Sequence, residues 1–413
     1  MKRRRTAKIV WGLVLALALF FLAGDTFGTG DAIAGIARPH LYSIARWEMG
    51  NFLKKWTREF RELFPGATSQ EEKIEQVRRL FDLADQTKGL RFRIRQARDG
   101  FADEPDLPGL ERELAALQRR QEKLEPGVEE TLESLITSTL KDAGVSSKLL
   151  LWRLLWPPVD FRLDKVPKIL IVSPRDRISL MQTRLIDPDI TDEDRDALEA
   201  AIDVRGLSTL VQGLGGVATY PSLIPDGSSL QRVLELAAHE WTHHYLFFHP
   251  MGRAYNATQD MTTLNETVAD VVGTEIGRAV YRDHFAAPGE LGPEAAPERS
   301  PPEGEAPAFD FNGAMRETRQ TADRLLAEGK IEEAEAYMEE RRRFLADNGH
   351  YFRKLNQAFF AFHGTYASRP GRVSPIGDQV RTAREEGATL GEFLSRMAGY
   401  ASYESFQRDL ESG

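Results

Sequence analysis

The sequence predicts an α+β chain, mostly helical, with one small sheet. Three observations predict it. Long stretches place apolar residues at helical spacing before residue 146 and after residue 228. A block of β-branched runs lies between them. Gly and Pro punctuate the joints. The 413 residues suffice for two or three domains. A hydrophobic content of 41% and a charged content of 28% are those of a folded chain. The net charge of −9 argues against nucleic acid as a partner. With no cysteine, any metal must be held by His, Asp or Glu.

Residues 1–38 form the first unit. Lys2, Arg3, Arg4, Arg5 and Lys8 precede an apolar run from Ile9 to Ala23. Such a leader keeps its cations in the cytoplasm and sends the downstream chain across the membrane. It is read as an uncleaved signal-anchor, a cleaved signal peptide being the alternative. The small-residue site Ala32-Ile33-Ala34 stands farther downstream than a cleavage site usually does. The expected location is the cell membrane, single-pass, with the rest of the chain extracytoplasmic, or secreted if the leader is cleaved.

Residues 39–150 read as a helical region. Leu41, Ile44, Phe52, Leu53, Trp56, Phe60 and Leu63 fall at helical spacing. Ser69 to Glu72 predicts a capping box opening a helix to about Arg98. Pro108 and Pro126 each suit a first helical turn. The region is expected to be a bundle or hairpin serving as scaffold.

Residues 151–285 carry the strands and the motif. "PKILIVS" (167–173) predicts a buried strand. "TDEDRDALEAAI" (191–202) predicts an acidic-started helix or loop. "STLVQGL" and "VATYPSLI" around Gly215-Gly216 predict a β-hairpin, and Pro221 places its second strand at an edge. Ser228 to Gln231 predicts a capping box for the next helix, which ends near Pro250. Thr263 is expected to begin a further helix running to about Phe285. Residues 286–309 are Pro/Glu-rich, a linker or surface loop. Residues 310–413 read as a helical lobe, with two charged helices around Gly329.

The helix expected between Ser228 and Pro250 contains "HEWTHH" (239–244). Residues four apart share a helix face, so His239 and His243 can point at one metal ion. Glu240, one residue round, can reach a water on that metal. Zinc needs a third protein ligand and an open fourth place. His249 stands where H-E-x-x-H-x-x-G-x-x-H has its third histidine, but Leu246 replaces the glycine at which that chain turns. Glu266, with 22 residues between it and His243, is the favoured third ligand. Asp270 lies four further on and suits a hydrogen bond to a ligand imidazole. Thr263 to Glu266 also fits a capping box, which would engage Glu266 otherwise. His244 points off the metal face.

H-E-x-x-H followed on the next helix by N-E-x-x-x-D resembles the gluzincin zinc metallopeptidases. Over 228–285 the chain is most similar to a bacterial family described as predicted aminopeptidases. The resemblance implies a zincin-type catalytic domain with His239, His243 and Glu266 as Zn²⁺ ligands. It implies Glu240 as general base and Asp270 as partner of a ligand histidine. It also implies that a peptide or protein substrate pairs along "VATYPSLI". The Gly-x-Met-Glu-Asn exopeptidase motif is absent, so aminopeptidase and endopeptidase both stay open. The oxyanion-stabilising residue is sought among His350, Tyr351, His363, Tyr366 and Tyr220. Two other readings stand beside this one. One is a membrane-tethered interaction protein with a structural or degenerate zinc site. The other is a metzincin-type protease using His249.

Overall fold

The computed structural model describes residues 32–44, 46–47, 69–98, 106–145, 147–149, 152–287, 309–363, 375–387 and 389–412. The leader up to residue 31, most of the 41–64 pattern, most of the Pro/Glu-rich stretch and Tyr366 lie outside them. Among the described residues no helix is long and apolar enough to cross a membrane.

The chain is mostly helical with small sheets. A short helix α1 (Ala32–Ala37) comes first. Helix α2 (Gln70–Arg98) opens as expected: Glu72 N donates to Ser69 Oγ at 3.2 Å and Ser69 N to Glu72 Oε2 at 3.0 Å. Helix α3 (Leu107–Asp142) returns along it, with Leu83, Leu90, Ile94 and Leu117 buried between the two. Pro108 sits in the first turn of α3, but Pro126 does not start a helix; it lies inside α3. An internal proline forfeits one backbone hydrogen bond. Burial of Val128, Leu132, Leu135, Ile136 and Leu140 just beyond it holds the helix together across that gap.

Seven strands come next. β1 (Ser147–Leu149) pairs antiparallel with β2 (Trp152–Leu154). Then come β3 (Phe161–Asp164), β4 (Lys168–Pro174), β5 (Gln182–Ile186), helix α4 (Asp192–Asp203), β6 (Leu207–Gly213) and β7 (Ser222–Pro225). β4 is the centre of an antiparallel sheet ordered β5-β4-β6. Its apolar run is continuous because both faces are covered. Ile169 and Ile171 bury against one set of helices, Leu170 and Val172 against α1 and α4.

The expected hairpin around Gly215-Gly216 does not form. β6 pairs with β4, whereas β7 pairs in parallel with β3 in a separate sheet. A single bridge, Val217 to Leu223, is all the antiparallel pairing that the second run makes with itself. Partners distant in sequence thus outcompete the local turn.

Helices complete the chain. α5 (Leu230–Phe247) carries the motif, α6 (Pro250–Arg253) is one turn, and α7 (Gln259–His284) comes after it. α8 (Phe311–Ala327) and α9 (Ile331–Asp347) flank Gly329, whose φ of +75° makes the left-handed turn that glycine tolerates best. α10 (Gln357–His363), α11 (Ile376–Glu386), α12 (Leu390–Ala398) and α13 (Tyr403–Ser412) close the fold. α8, α9 and α10 cover the sheet face with Met315, Met338, Leu345 and Phe359. The largest core joins α3, β3, α5, α7 and α11 to α13. The motif helix is therefore clamped from several sides.

Candidate metal centre

α5 begins one residue later than expected. Ser229, not Ser228, is the cap, its Oγ accepting from Arg232 N at 3.4 Å. α7 begins earlier: Thr258 caps it, accepting from Met261 N at 3.1 Å. Thr263 is therefore inside α7, donating to Gln259 O, and Glu266 is released from any capping duty.

α5 and α7 lie unusually close. A Cβ at Gly273 would fall 2.7 Å from Glu235 O, and one at Gly277 would fall 2.5 Å from Glu235 N. Only glycine permits that approach. It brings the Glu266–Asp270 stripe of α7 onto the His239–His243 stripe of α5.

The result is a compact three-atom cluster. Nε2 of His239 and Nε2 of His243 stand 3.1 Å apart. Glu266 Oε2 lies 3.5 Å from the first and 3.6 Å from the second. Zinc ligands at the usual bond lengths and the tetrahedral angle stand roughly 3.3–3.4 Å apart. The three atoms thus mark one face of such a tetrahedron. Among the described residues no fourth His, Asp or Glu joins the group.

Each of the three residues has a partner on its far side. His239 Nδ1 lies 3.0 Å from Asp270 Oδ1. His243 Nδ1 lies 2.9 Å from Asn265 Oδ1, and Tyr255 OH donates to Glu266 Oε1 at 2.5 Å. Both acceptors suit a proton on Nδ1, which in a neutral imidazole leaves Nε2 able to bind a metal. Sequence reasoning misses Asn265 and Tyr255. Asn265 adjoins Glu266 in the motif, and that adjacency is the signal that could have found it. Tyr255 comes from the loop before α7, and nothing in its spacing marks it.

The carboxylates around the two imidazoles favour positive charge between them. Burial pushes the His239 imidazole down, but Asp270, Glu266 and the charge of Glu240 outweigh it and raise it to about 10. Burial likewise opposes the charged form of His243, and the Glu266 carboxylate overcomes it, so this imidazole is raised too. Glu266 is buried, yet His243 and His239 hold its carboxyl well below the usual range. Burial raises Glu240, which makes it a stronger base than an exposed glutamate. A Cβ on Gly216 would stand 2.4 Å from Glu240 Oε1, so the carboxylate packs directly on that glycine.

The other expected residues fall elsewhere. His249 stacks on Tyr245 at 4.4 Å and its Nδ1 faces Tyr245 O at 2.8 Å; it stands outside the cluster, between the Phe248 cap of α5 and the start of α6. His244 packs edge-on against Tyr220, and burial, with the charge of His243, pushes it down to about 4. His350 stacks on Phe311, Tyr351 is 83% exposed, and His363 Nε2 faces Gln212 Oε1 at 3.1 Å. None of these described aromatics joins the three-atom cluster.

A cleft opens beside His239, Glu240 and Asp270, walled by Gly213 to Gly216. The expected edge, "VATYPSLI", does not form that wall. The wall continues β6 instead. The outer edge of β6 is already in use at Thr209 and Val211, where Asn356 Nδ2 and Arg353 Nη2 donate to the carbonyls at 2.9 and 3.0 Å. Gly213 to Gly216, beyond those two carbonyls, is the stretch of this backbone that lines the cleft. Compared with protein-family models, with curated proteins and with solved structures, the chain matches none.

Proposed function

We propose that the protein is a zinc-dependent peptidase, tethered by its N-terminal segment with the catalytic part outside the cytoplasm. The observation that carries this reading is the tetrahedral spacing of the His239, His243 and Glu266 ligand atoms. His239, His243 and Glu266 would hold the ion. When bound, zinc supplies a Lewis acid that makes water and a carbonyl reactive near neutral pH. Glu240 takes the proton from the attacking water and delivers it to the leaving nitrogen. Asp270 and Asn265 keep the imidazoles aimed, and the Gly213–Gly216 backbone lies where an extended chain would run.

Three ligands with no fourth among the described residues favour an open, catalytic site over a closed, structural one.

The test is Glu240→Gln. The variant is expected to keep its zinc and to lose peptidase activity by about 10²–10⁴-fold. Full activity with full zinc content would remove Glu240 from the mechanism.

A further inference from the structure

The cleft beside the triad is acidic on three counts: Glu235, Glu240 and Asp270. Arg232 is the one Arg or Lys among its described lining residues. It precedes His239 by seven residues on α5, two turns, so it stands about 10 Å along the axis from the metal ligands. Its side chain is 50% exposed. Its Nη2 would be 3.8 Å from a Cβ on Gly215, so the guanidinium lies against the glycine wall of the cleft.

The surroundings fix what Arg232 can do. Gln231 Nε2 donates to Glu235 Oε1 at 2.9 Å, and Arg232 Nη1 donates to Glu235 Oε2 at 3.3 Å. Both oxygens of Glu235 are engaged. Glu235 therefore holds the guanidinium in place. Arg232 keeps its other donors for the cleft.

Arg232 is also in the first turn of an 18-residue helix, a turn that holds no acidic residue. A cation there runs against the helix dipole. Such a breach of local preference is expected at sites kept for function.

We infer that Arg232 is a substrate-anchoring residue, binding a carboxylate about three residues from the scissile bond. This rests on the peptidase reading. The distance comes from about 3.3 Å per residue of an extended chain over the two helical turns. The carboxylate is either the C-terminus of a short peptide or an Asp or Glu side chain in a longer one. Both present the planar pair of oxygens that guanidinium binds.

The experiment uses the zinc-loaded full chain and a pool of synthetic peptides. Half end in a free acid and half in an amide, each with and without Asp or Glu; products are read by mass spectrometry. Wild type is expected to favour acid-bearing peptides over neutral ones by about tenfold or more, a loss typical of removing a charged hydrogen bond. Arg232→Gln is expected to bring that ratio to about one, and Arg232→Lys to restore it in part. Which half of the pool carries the preference identifies the source of the carboxylate. Titration of the best acid peptide into Glu240→Gln protein is expected to weaken about tenfold when Arg232→Gln is added. A wild-type ratio near one, or a ratio or affinity unchanged in Arg232→Gln, overturns the anchoring role and leaves the peptidase reading standing. No cleavage of any peptide by zinc-loaded wild type overturns both.

Discussion

His239 Nδ1 lies 3.0 Å from Asp270 Oδ1, opposite the ring nitrogen that faces His243 and Glu266. The carboxylate holds the ring's orientation and its tautomer. Asp270→Ala is expected to weaken zinc binding by about 10–100-fold without unfolding the chain. Competition against a chromophoric chelator measures it. Unchanged affinity would show that the pair does not serve a metal.

Tyr255 should act in the same way on Glu266, the proposed third ligand. Its hydroxyl occupies Glu266 Oε1 and leaves Oε2 toward the histidines. Tyr255→Phe removes a hydrogen bond to a charged group, about 1.5–3 kcal/mol. The expected result is a rise in zinc Kd of about tenfold or more. Cobalt-substituted protein should also change its visible spectrum as Glu266 becomes free to bind through both oxygens.

Gly216 sets the position of Glu240, the proposed general base. A methyl group there would meet Glu240 Oε1 at 2.4 Å. Gly216→Ala must displace the carboxylate or the loop. Peptidase kcat is expected to fall by roughly 10²-fold, the scale of a 1 Å misplacement, with zinc content unchanged. Wild-type kcat in this variant would show that the contact is incidental.

Stability should fall with rising pH through Glu125. Burial, then the charges of Glu129 and Asp226, raise this carboxyl from 4.5 to about 7. A raised folded pKa gives a contribution fully present below the unfolded value and lost as pH climbs through the folded one. Urea denaturation is expected to show a loss on the order of 1–2 kcal/mol between pH 4.5 and 8. Glu125→Gln should flatten that part of the profile. An identical slope in the variant would assign the effect to other groups.

The parts of this molecule legible in the sequence are those set by local periodicity. H-E-x-x-H requires only a helix to put His239 and His243 together, and Glu266 with Asp270 requires only the next one. The β4 run and the Gly329 turn are local in the same sense. The misread parts depend on distant partners. The Gly215-Gly216 turn has the sequence of a hairpin because β6 and β7 adjoin in the chain, but β4 and β3 take them. Pro126 has the sequence of a helix start because the core that sustains α3 beyond it is assembled from later segments. Thr263 suits a cap, but Thr258 offers the same chemistry five residues earlier. Asn265 and Tyr255 find their partners only once α5 and α7 meet at Gly273 and Gly277.

The central claim is that one zinc ion sits on His239, His243 and Glu266 with a place left open. Anomalous diffraction at the zinc edge from crystals of the zinc-loaded protein tests it most directly. The expected result is one peak at about 2.0–2.2 Å from both Nε2 atoms and from Glu266 Oε2, with no fourth side chain bound. No peak at these atoms, or a peak closed by a fourth protein ligand, would contradict it.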